Sequence, residues 1–144
     1  GRKKLDEEKL QAEKKYRLLF EHNIAGVYQS TFSGKILECN QSFANFFGFD
    51  SVDEFKNNKV LDLYYSTNQR TEFLNLLKEK KSLINFEIKM KRKDGSPVYL
   101  LENIVLAESS EYPEGIIEGV SIDITERKKA EHEILLKNEQ LRNL

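Results

Sequence analysis

Cysteine and histidine, the residues most often used for metal binding and nucleophilic chemistry, are scarce in this chain. The 144 residues contain one cysteine, Cys39, and two histidines, His22 and His132, which lie far apart in the sequence. A zinc-type site needs three or four such ligands close together. Nothing in the sequence matches a phosphate-binding loop, a nucleophile elbow or a zinc-protease motif. We therefore expect no metal site and no catalysis within this segment.

Glu102 is an acidic residue inside a mostly apolar run that predicts a β-strand. A carboxylate that faces an apolar core must be paired, hydrogen-bonded or turned outward. We favour a position at the edge of the sheet or in solvent. The alternative is that Glu102 is a polar handle for a ligand.

Alternation along the last three predicted strands nominates an inward face for ligand binding. Every second side chain of a strand points to the same side of the sheet. The inward residues on the strands are Phe86, Ile88, Met90, Leu100, Glu102, Ile104, Ile117, Gly119 and Ser121. The predicted helices opposite supply Phe43, Phe47, Leu63, Phe73 and Leu77. We favour a filled apolar core over a ligand pocket, although Gly119 indicates close approach by a ligand or a side chain.

The second half of the chain predicts a three-stranded antiparallel meander. The strands cover residues 86–90, 98–106 and 116–124. Asp94-Gly95 is a strong turn signal because both residues tolerate positive φ. Pro97 must lie at the start of a strand because it has no N–H for the ladder.

The first half of the chain predicts two more strands and several helices. The strands cover residues 25–32 and 35–39, and the helices cover 2–21, 41–47, a short segment around Phe55, 61–65 and 68–81. Asn40 is placed to cap the helix that follows it, and Ser51 and Glu54 have the spacing of a capping box. The order of elements indicates the α+β class, with one antiparallel sheet and the helices on one face.

A charged helix is predicted at the N-terminal end of the chain. Leu5, Ala12 and Leu19 recur every seven residues, which is the spacing of a coiled-coil seam. The alternative is a solvated helix that packs only its last turn, from Leu18 to Phe20, against the domain.

A second charged helix is predicted at the C-terminal end, where residues 126–144 contain neither glycine nor proline. Asp123 and Glu126 have capping-box spacing, so this helix is expected to begin directly after the last strand. Two weak coiled-coil registers compete along it. One uses Ile124, Glu131 and Asn138, and the other uses Ala130, Lys137 and Leu144. We expect the flanking helices to form a homodimer.

Composition indicates one soluble globular domain with charged helices attached, since 39% of the residues are hydrophobic and 33% are charged. The net charge of −1 gives no reason to expect binding to nucleic acid or to an anionic membrane. No apolar run is long enough to span a bilayer, and the charged N-terminus has no signal peptide. With a single cysteine, these features predict a cytoplasmic location. We expect the segment to be part of a longer protein.

Several motifs, occurring together and in order, resemble the PAS domain family. Residues 86–99 and 119–131 resemble its C-terminal half, including the PAC-type motif, and residues 34–43 and 47–55 resemble its first half. The resemblance implies a five-stranded antiparallel sheet with short helices on one face and flanking helices at both ends. It divides the chain into an N-terminal helix at 1–22, the PAS domain at 23–125 and a signalling helix at 126–144.

The resemblance also implies a function in signal transduction. Asp123, Thr125 and Glu126 resemble the junction between the last strand and the signalling helix of the family. We expect a regulatory module, not an enzyme, which binds a small organic ligand or partner and passes a change to an effector in the same chain, by resemblance a sensor histidine kinase. The alternatives are a dimerisation and relay domain without a ligand, and a haem or flavin sensor.

Haem and flavin are not expected from the residues at the positions that bind them in family members. Flavin-binding members use a helical cysteine, but residues 58–65 contain none, and Cys39 lies elsewhere. Met90, Leu100 and Ser121 replace the amide side chains that contact flavin in those members. Haem-binding members use a histidine on the long helix, and residues 68–81 contain none. We therefore predict no cofactor.

The two histidines have structural interpretations. His22 lies at a predicted helix end, where a cation interacts favourably with the helix dipole. His132-Glu133 resembles the start of the phospho-accepting motif of sensor kinases, but Ile-Leu-Leu-Lys follows instead of Arg-Thr-Pro. We interpret His132 as part of a solvated helix surface.

Overall fold

Five strands and five helices follow one another in the computed structural model, which describes residues 1–21 and 23–144. The strands are β1 (Gly26–Ser30), β2 (Ile36–Cys39), β3 (Ser82–Lys91), β4 (Pro97–Ala107) and β5 (Ile116–Asp123). The helices are α1 (Arg2–Glu21), α2 (Gln41–Phe46), α3 (Val52–Lys56), α4 (Thr67–Lys80) and α5 (Thr125–Arg142), with a 3₁₀ turn over Val60–Leu63. His22, the predicted helix end, lies outside the described residues.

The five strands form one antiparallel sheet in the order β2-β1-β5-β4-β3. The last strand, β5, therefore lies at the centre, between β1 and β4. Buried and exposed residues alternate along β4 and β5, as expected when helices cover one face of a sheet. The predicted α+β class, with one five-stranded antiparallel sheet, is confirmed.

Asn40 links the beginning of α2 to the sheet. It is completely buried, and its side-chain oxygen accepts hydrogen bonds from the backbone N–H groups of Phe43 at 3.1 Å and Val27 at 2.9 Å. Its Nδ2 donates to the carbonyl oxygens of Phe20 at 3.0 Å and Ala25 at 2.9 Å. The predicted N-cap is confirmed, and the same side chain also attaches the end of α1 to the domain.

The connection from α4 to β3 differs from the prediction, because β3 begins at Ser82 and not at residue 86. A β-bulge between Leu83 and Phe86 interrupts the alternation that would have marked the longer strand. Asn85 in the bulge has φ of 53°, and its N–H donates to the Asn103 side chain at 2.8 Å. The sequence pattern therefore identified only the regular part of β3.

Helix α1 contacts the domain at its C-terminal end. Phe20 is buried, whereas Leu5, Tyr16 and Leu18 are exposed. The prediction that the last turn packs on the domain is right for Phe20 and wrong for Leu18, which lies on another side of the helix. The side chain of Leu19 is outside the described part of the structure.

Candidate functional site

An interior cavity of about 30 Å³ lies between the sheet and the helices. A buried water needs roughly 10–15 Å³ of such space, so this volume holds about two water molecules. The predicted residues that line it are Phe43, Phe47, Leu63, Phe73, Met90, Leu100, Glu102 and Ile117. The lining also includes Tyr28, Ser30, Ile36, Phe55, Val60, Tyr64 and Arg70, which the sequence did not single out.

Close packing of the remaining predicted residues explains why the cavity is small. Leu77, Ile104 and Ser121 are completely buried, and Ile88 nearly so, without lining the cavity. Phe86 is partly buried and packs on the Phe73 ring, with the ring centroids 5.9 Å apart. This smaller part of the predicted inward face is therefore filled core. Contact of these residues with a ligand stays a prediction.

Glu102 lies in the core and not at the sheet edge or in solvent. It is only 4% exposed, and its Oε1 accepts a hydrogen bond from Ser121 Oγ at 2.7 Å. Burial raises the pKa of Glu102, while hydrogen bonds from the hydroxyl groups of Ser121 and Tyr28 oppose that shift. The favoured sequence interpretation is wrong because β4 pairs on both sides, with β3 and β5, so none of its central residues lies at an edge.

Tyr28 explains the glycine in the middle of β5. A Cβ at Gly119 would overlap the Tyr28 ring, and it would lie 2.6 Å from the hydroxyl oxygen. The close approach predicted from Gly119 is therefore made by a side chain. Burial and the neighbouring Glu102 raise the pKa of Tyr28 well above its usual value, which keeps the hydroxyl protonated as a donor.

Arg70 is a buried cation in the wall of the cavity. Its Nη1 donates to the Tyr64 hydroxyl at 2.7 Å, and its Nη2 donates to the carbonyl oxygens of Thr31 and Phe32, both at 3.2 Å. The guanidinium carbon lies 5.2 Å from the Tyr64 ring centroid and 5.9 Å from that of Phe73. Sequence analysis missed Arg70, because an arginine on a charged helix is normally solvated.

The junction between β5 and α5 forms differently from the predicted capping box. Helix α5 begins at Thr125, and Ile124 at its N-cap position makes no side-chain cap. The Asp123 carboxylate instead accepts from the backbone N–H of Thr125 at 2.9 Å and from its hydroxyl at 2.5 Å. Glu126 is exposed and pairs with Lys129 at 3.5 Å. In a capping box, Asp123 would be the N-cap residue and the Glu126 side chain would bond to its backbone N–H. The prediction was wrong because the helix starts two residues after Asp123, so Glu126 is not placed to make this bond.

Contacts from β4 and β3 hold the beginning of α5. The Tyr99 carbonyl accepts from the Ile124 N–H at 2.8 Å, and the Tyr99 N–H donates to Thr125 Oγ1 at 3.0 Å. On β3, the Glu87 carboxylate pairs with Lys128 at 2.8 Å and Arg127 at 3.1 Å. The strands that wall the cavity are therefore bonded directly to the exit helix.

Comparison with protein families shows what the chain is related to. The sequence profile described as PAS domain matches residues 24–126, which is more than half of the chain. The chain belongs to the PAS domain family. No curated protein matches this PAS domain in sequence.

Solved structures with the same fold include domains from three bacterial proteins. A PAS domain from Colwellia psychrerythraea is 20% identical, with a TM-score of 0.66, and the match covers 80% of this chain and 98% of that one. A domain of a sensory box sensor histidine kinase/response regulator from Geobacter sulfurreducens is 23% identical, with a TM-score of 0.60 and coverages of 78% and 94%. The PAS domain of a LuxR-family transcriptional regulator from Burkholderia thailandensis, in complex with ethanol, is 18% identical, with a TM-score of 0.61 and coverages of 76% and 97%. The predicted PAS fold is confirmed.

Among the described residues, Cys39, His132 and every acidic side chain except Glu102 lie outside the cavity wall. Across residues 1–21 and 23–144, no three His, Cys, Asp or Glu side chains are arranged to hold a metal ion. Burial raises the pKa of the Cys39 thiol to about 11, which disfavours the reactive thiolate. His132 is exposed on α5. In this described part of the chain, no helix combines the length and apolarity required to cross a membrane.

Proposed function

We propose that this PAS domain is a sensory and relay module of a larger signalling protein. Binding in the cavity alters the β5–α5 junction, and α5 carries the change to an effector in the same chain. One observation supports this above all, namely that β4 serves both regions. Leu100 and Glu102 line the cavity, and the adjacent Tyr99 holds Ile124 and Thr125 with two hydrogen bonds.

Strand β5 supplies a second connection between the cavity and α5. Ser121 donates to the cavity carboxyl group of Glu102, and Asp123, two residues along the same strand, holds the first residue of α5. A ligand that competes for Glu102 would release Ser121. The centre of β5 would then be free to move relative to β4.

The affinity of the ligand for the two arrangements of the junction limits the free energy that is available for such a change. A ligand shifts the equilibrium between two arrangements only by the difference in its affinity for them. A tenfold preference supplies about 1.4 kcal/mol. The junction is suited to so small a signal, because a few hydrogen bonds and surface ion pairs hold it.

The effector we propose is a sensor histidine kinase, and we expect a cytoplasmic location. The domain from Geobacter sulfurreducens belongs to a protein of that class. The neighbour from Burkholderia thailandensis belongs to a transcriptional regulator, which makes a DNA-binding effector the main competitor.

A dimerisation and relay module without a ligand is the second candidate, and it is favoured by the small cavity and by apolar residues exposed on both flanking helices. On α1 these are Leu5, Leu10, Tyr16 and Leu18, and on α5 they are Ile134, Leu135, Leu136 and Leu141. Ile134 and Leu141 are seven residues apart, and exposed apolar residues at this spacing are typical of helices that pair. In either case we propose a homodimer through these helices.

Sedimentation of the purified chain tests that dimer. We expect a concentration-dependent dimer that becomes monomeric when Ile134 and Leu141, seven residues apart, are both changed to glutamate. Leu136→Glu, outside that pair, is the matched control and should still dimerise. A wild-type monomer at every concentration would contradict pairing through these helices.

Neither haem nor flavin fits the cavity, and we propose that the domain binds neither. Haem requires an axial ligand, but no histidine or cysteine is among the lining residues. Either group is also far larger than the roughly two water molecules for which the cavity has space. The residues present suit a small polar ligand instead.

Hydrogen exchange of the α5 amides tests the relay. We expect Glu102→Gln, which alters the bond to Ser121, to change the exchange rates of residues 125–130. Glu108→Gln, at an exposed position after β4, is the matched control and should leave them unchanged. Identical α5 exchange in wild type and both variants would contradict a relay from the cavity.

A further inference from the structure

Arg70 is a buried positive charge without a negative partner in the described structure. The residue is 7% exposed, and the groups that accept its hydrogen bonds, the Tyr64 hydroxyl and two backbone carbonyls, are all uncharged. None of the ion pairs among the described residues includes it. An isolated buried charge is strongly unfavourable, and arginine keeps its charge inside proteins. The site is therefore electrostatically suited to an anion.

One nitrogen of this guanidinium lacks a hydrogen-bond partner in the described structure. Arg70 Nε is buried and has no hydrogen-bond partner among the described residues. The other two nitrogens are held by Tyr64 and by the carbonyl groups, and the guanidinium stacks on the Tyr64 and Phe73 rings. The orientation of Arg70, which lines the cavity, is thus fixed, and its Nε–H has no acceptor in the described structure.

The size of the cavity limits the anion. A volume of about 30 Å³ corresponds to about two water molecules. Arginine is well matched to planar oxyanions, because its own donors lie in a plane. A carboxylate with one or two carbons, or an inorganic oxyanion of the same size, meets both conditions.

We propose that the cavity binds a planar oxyanion of three or four heavy atoms, of the size of formate, nitrate or acetate, through the Nε–H of Arg70. This inference rests on the proposed function, because it names the ligand class of the same cavity. Arg70 lies on α4, so the anion would join this helix to the sheet that holds α5.

Glu102 is the acidic residue of the cavity wall. Its raised pKa makes it compatible with an anion bound nearby. Its burial raises its pKa, so it retains its proton to higher pH than an exposed glutamate does. The remaining titratable groups in the cavity wall, the hydroxyl groups of Tyr28 and Tyr64, also have raised pKa values and stay neutral. Arg70 is the charged group of the cavity wall whenever Glu102 carries its proton.

The competing explanation is that water fills the cavity and bridges Arg70 to an ionised Glu102. In that case the cavity would have an internal counter-ion and no need of a ligand. The two explanations differ in their response to added anions, because an internal ion pair would be indifferent to formate.

Nuclear magnetic resonance of the arginine side chains distinguishes them in the wild-type chain. The Nε–H signal of Arg70 is followed while sodium formate, nitrate or acetate replaces sodium chloride at constant ionic strength. We expect the Arg70 signal to shift and saturate, whereas the signal of exposed Arg142 should follow only bulk salt. Saturation by formate and acetate alone would assign a carboxylate, and saturation by nitrate alone would assign an inorganic oxyanion. An Arg70 signal that responds to none of the three would overturn the proposal.

Substitution provides an independent test. Arg70→Lys retains the charge but removes Nε, and Arg70→Met removes both. We expect formate to raise the Tm of wild type and of the control Arg142→Met, since a ligand of the folded state stabilises it. Either Arg70 variant that folds should lose this increase. An undiminished increase in Arg70→Lys would contradict binding through Nε.

Failure of this inference and failure of the proposed function have different signatures. If formate binds at Arg70 without changing α5 exchange, the ligand class is right and the relay is wrong. If Glu102→Gln changes α5 exchange but no anion shifts the Arg70 signal, the relay stands and the ligand class is wrong.

Discussion

The cavity and the β5–α5 junction are built on the same strands, but different interactions stabilise them. The cavity wall consists of side chains removed from water, such as Leu100, together with a few polar groups that are hydrogen-bonded inside the core. The junction depends on hydrogen bonds around Thr125 and on exposed ion pairs of Glu87. We therefore expect the cavity wall to be the more rigid region and the junction to rearrange at a lower cost in free energy.

This difference separates stability from signalling. Removing buried atoms leaves space or unpaired polar groups, both of which lower the free energy of unfolding substantially. Surface ion pairs contribute little to that free energy, because water and salt screen them. We therefore expect changes in the cavity to destabilise the domain, and changes at the surface of the junction to loosen α5 with little loss of stability.

The largest effect is expected for Leu100→Ala in the cavity wall. Leu100 is completely buried, and such truncations cost about 2–5 kcal/mol of unfolding free energy. Leu135→Ala, on the exposed surface of α5, is the control and should change it by less than about 0.5 kcal/mol. Urea unfolding measures both, and similar losses in the two variants would remove the distinction between the regions.

Thr125→Val tests the buried part of the junction. Valine keeps the shape of the side chain but leaves the Tyr99 N–H without its acceptor, which should cost about 1–3 kcal/mol. Thr71→Val, at an exposed helical position, is the matched control with a small effect. Hydrogen exchange of the Tyr99 amide should be faster in the first variant, and unchanged exchange would show that this bond does not hold α5.

Glu102→Gln should make stability less dependent on pH. Burial raises the pKa of Glu102 in the folded state above its unfolded value. Its contribution to stability is therefore complete below the unfolded pKa and is lost as pH rises through the folded pKa. The stability of Glu102→Gln relative to wild type should rise between about pH 4 and the folded pKa, whereas Glu108→Gln should show no such trend. A constant difference in urea unfolding across this range would argue that Glu102 does not titrate in the core.

The smallest change in stability is expected for Glu87→Gln at the junction surface. It removes the pairs with Arg127 and Lys128, whose attraction lowers the pKa of Glu87. We expect the unfolding midpoint to stay nearly unchanged while exchange in the first turn of α5 increases at low salt. Because salt screens such pairs, wild type and variant should converge at high salt. A large loss of stability would show that the ion pairs of Glu87 contribute as much to the free energy of unfolding as buried contacts do.

The inner face of the sheet could be predicted from the sequence because the alternation of apolar and polar residues along a strand is a local pattern. Alternation placed Leu100 and Ile104 on one side of a strand, and both are buried. It failed for the favoured position of Glu102, because the edge or centre of a sheet is decided by pairing between distant segments. The sequence pattern also did not identify Arg70 as a buried residue. Its side chain donates to the Thr31 and Phe32 carbonyls, which are far away in the chain.

The junction shows a similar limit of sequence patterns. The spacing of Asp123 and Glu126 predicted a helix that begins directly after the strand, and α5 does begin at Thr125. The pattern did not reveal that Asp123 bonds to Thr125, nor that Tyr99 of β4 supports the same residue. Local signals located the helix, and only the paired sheet shows what holds it.

A double-mutant cycle between Glu102→Gln and Thr125→Val tests the central claim most directly. The two residues share no hydrogen-bond partner, so independent effects would add to within about 0.5 kcal/mol. If β4 and β5 couple the cavity to α5, urea unfolding of the two single variants and the double variant should give an interaction energy above about 0.5 kcal/mol. Additive losses would contradict the account and separate the cavity from the junction.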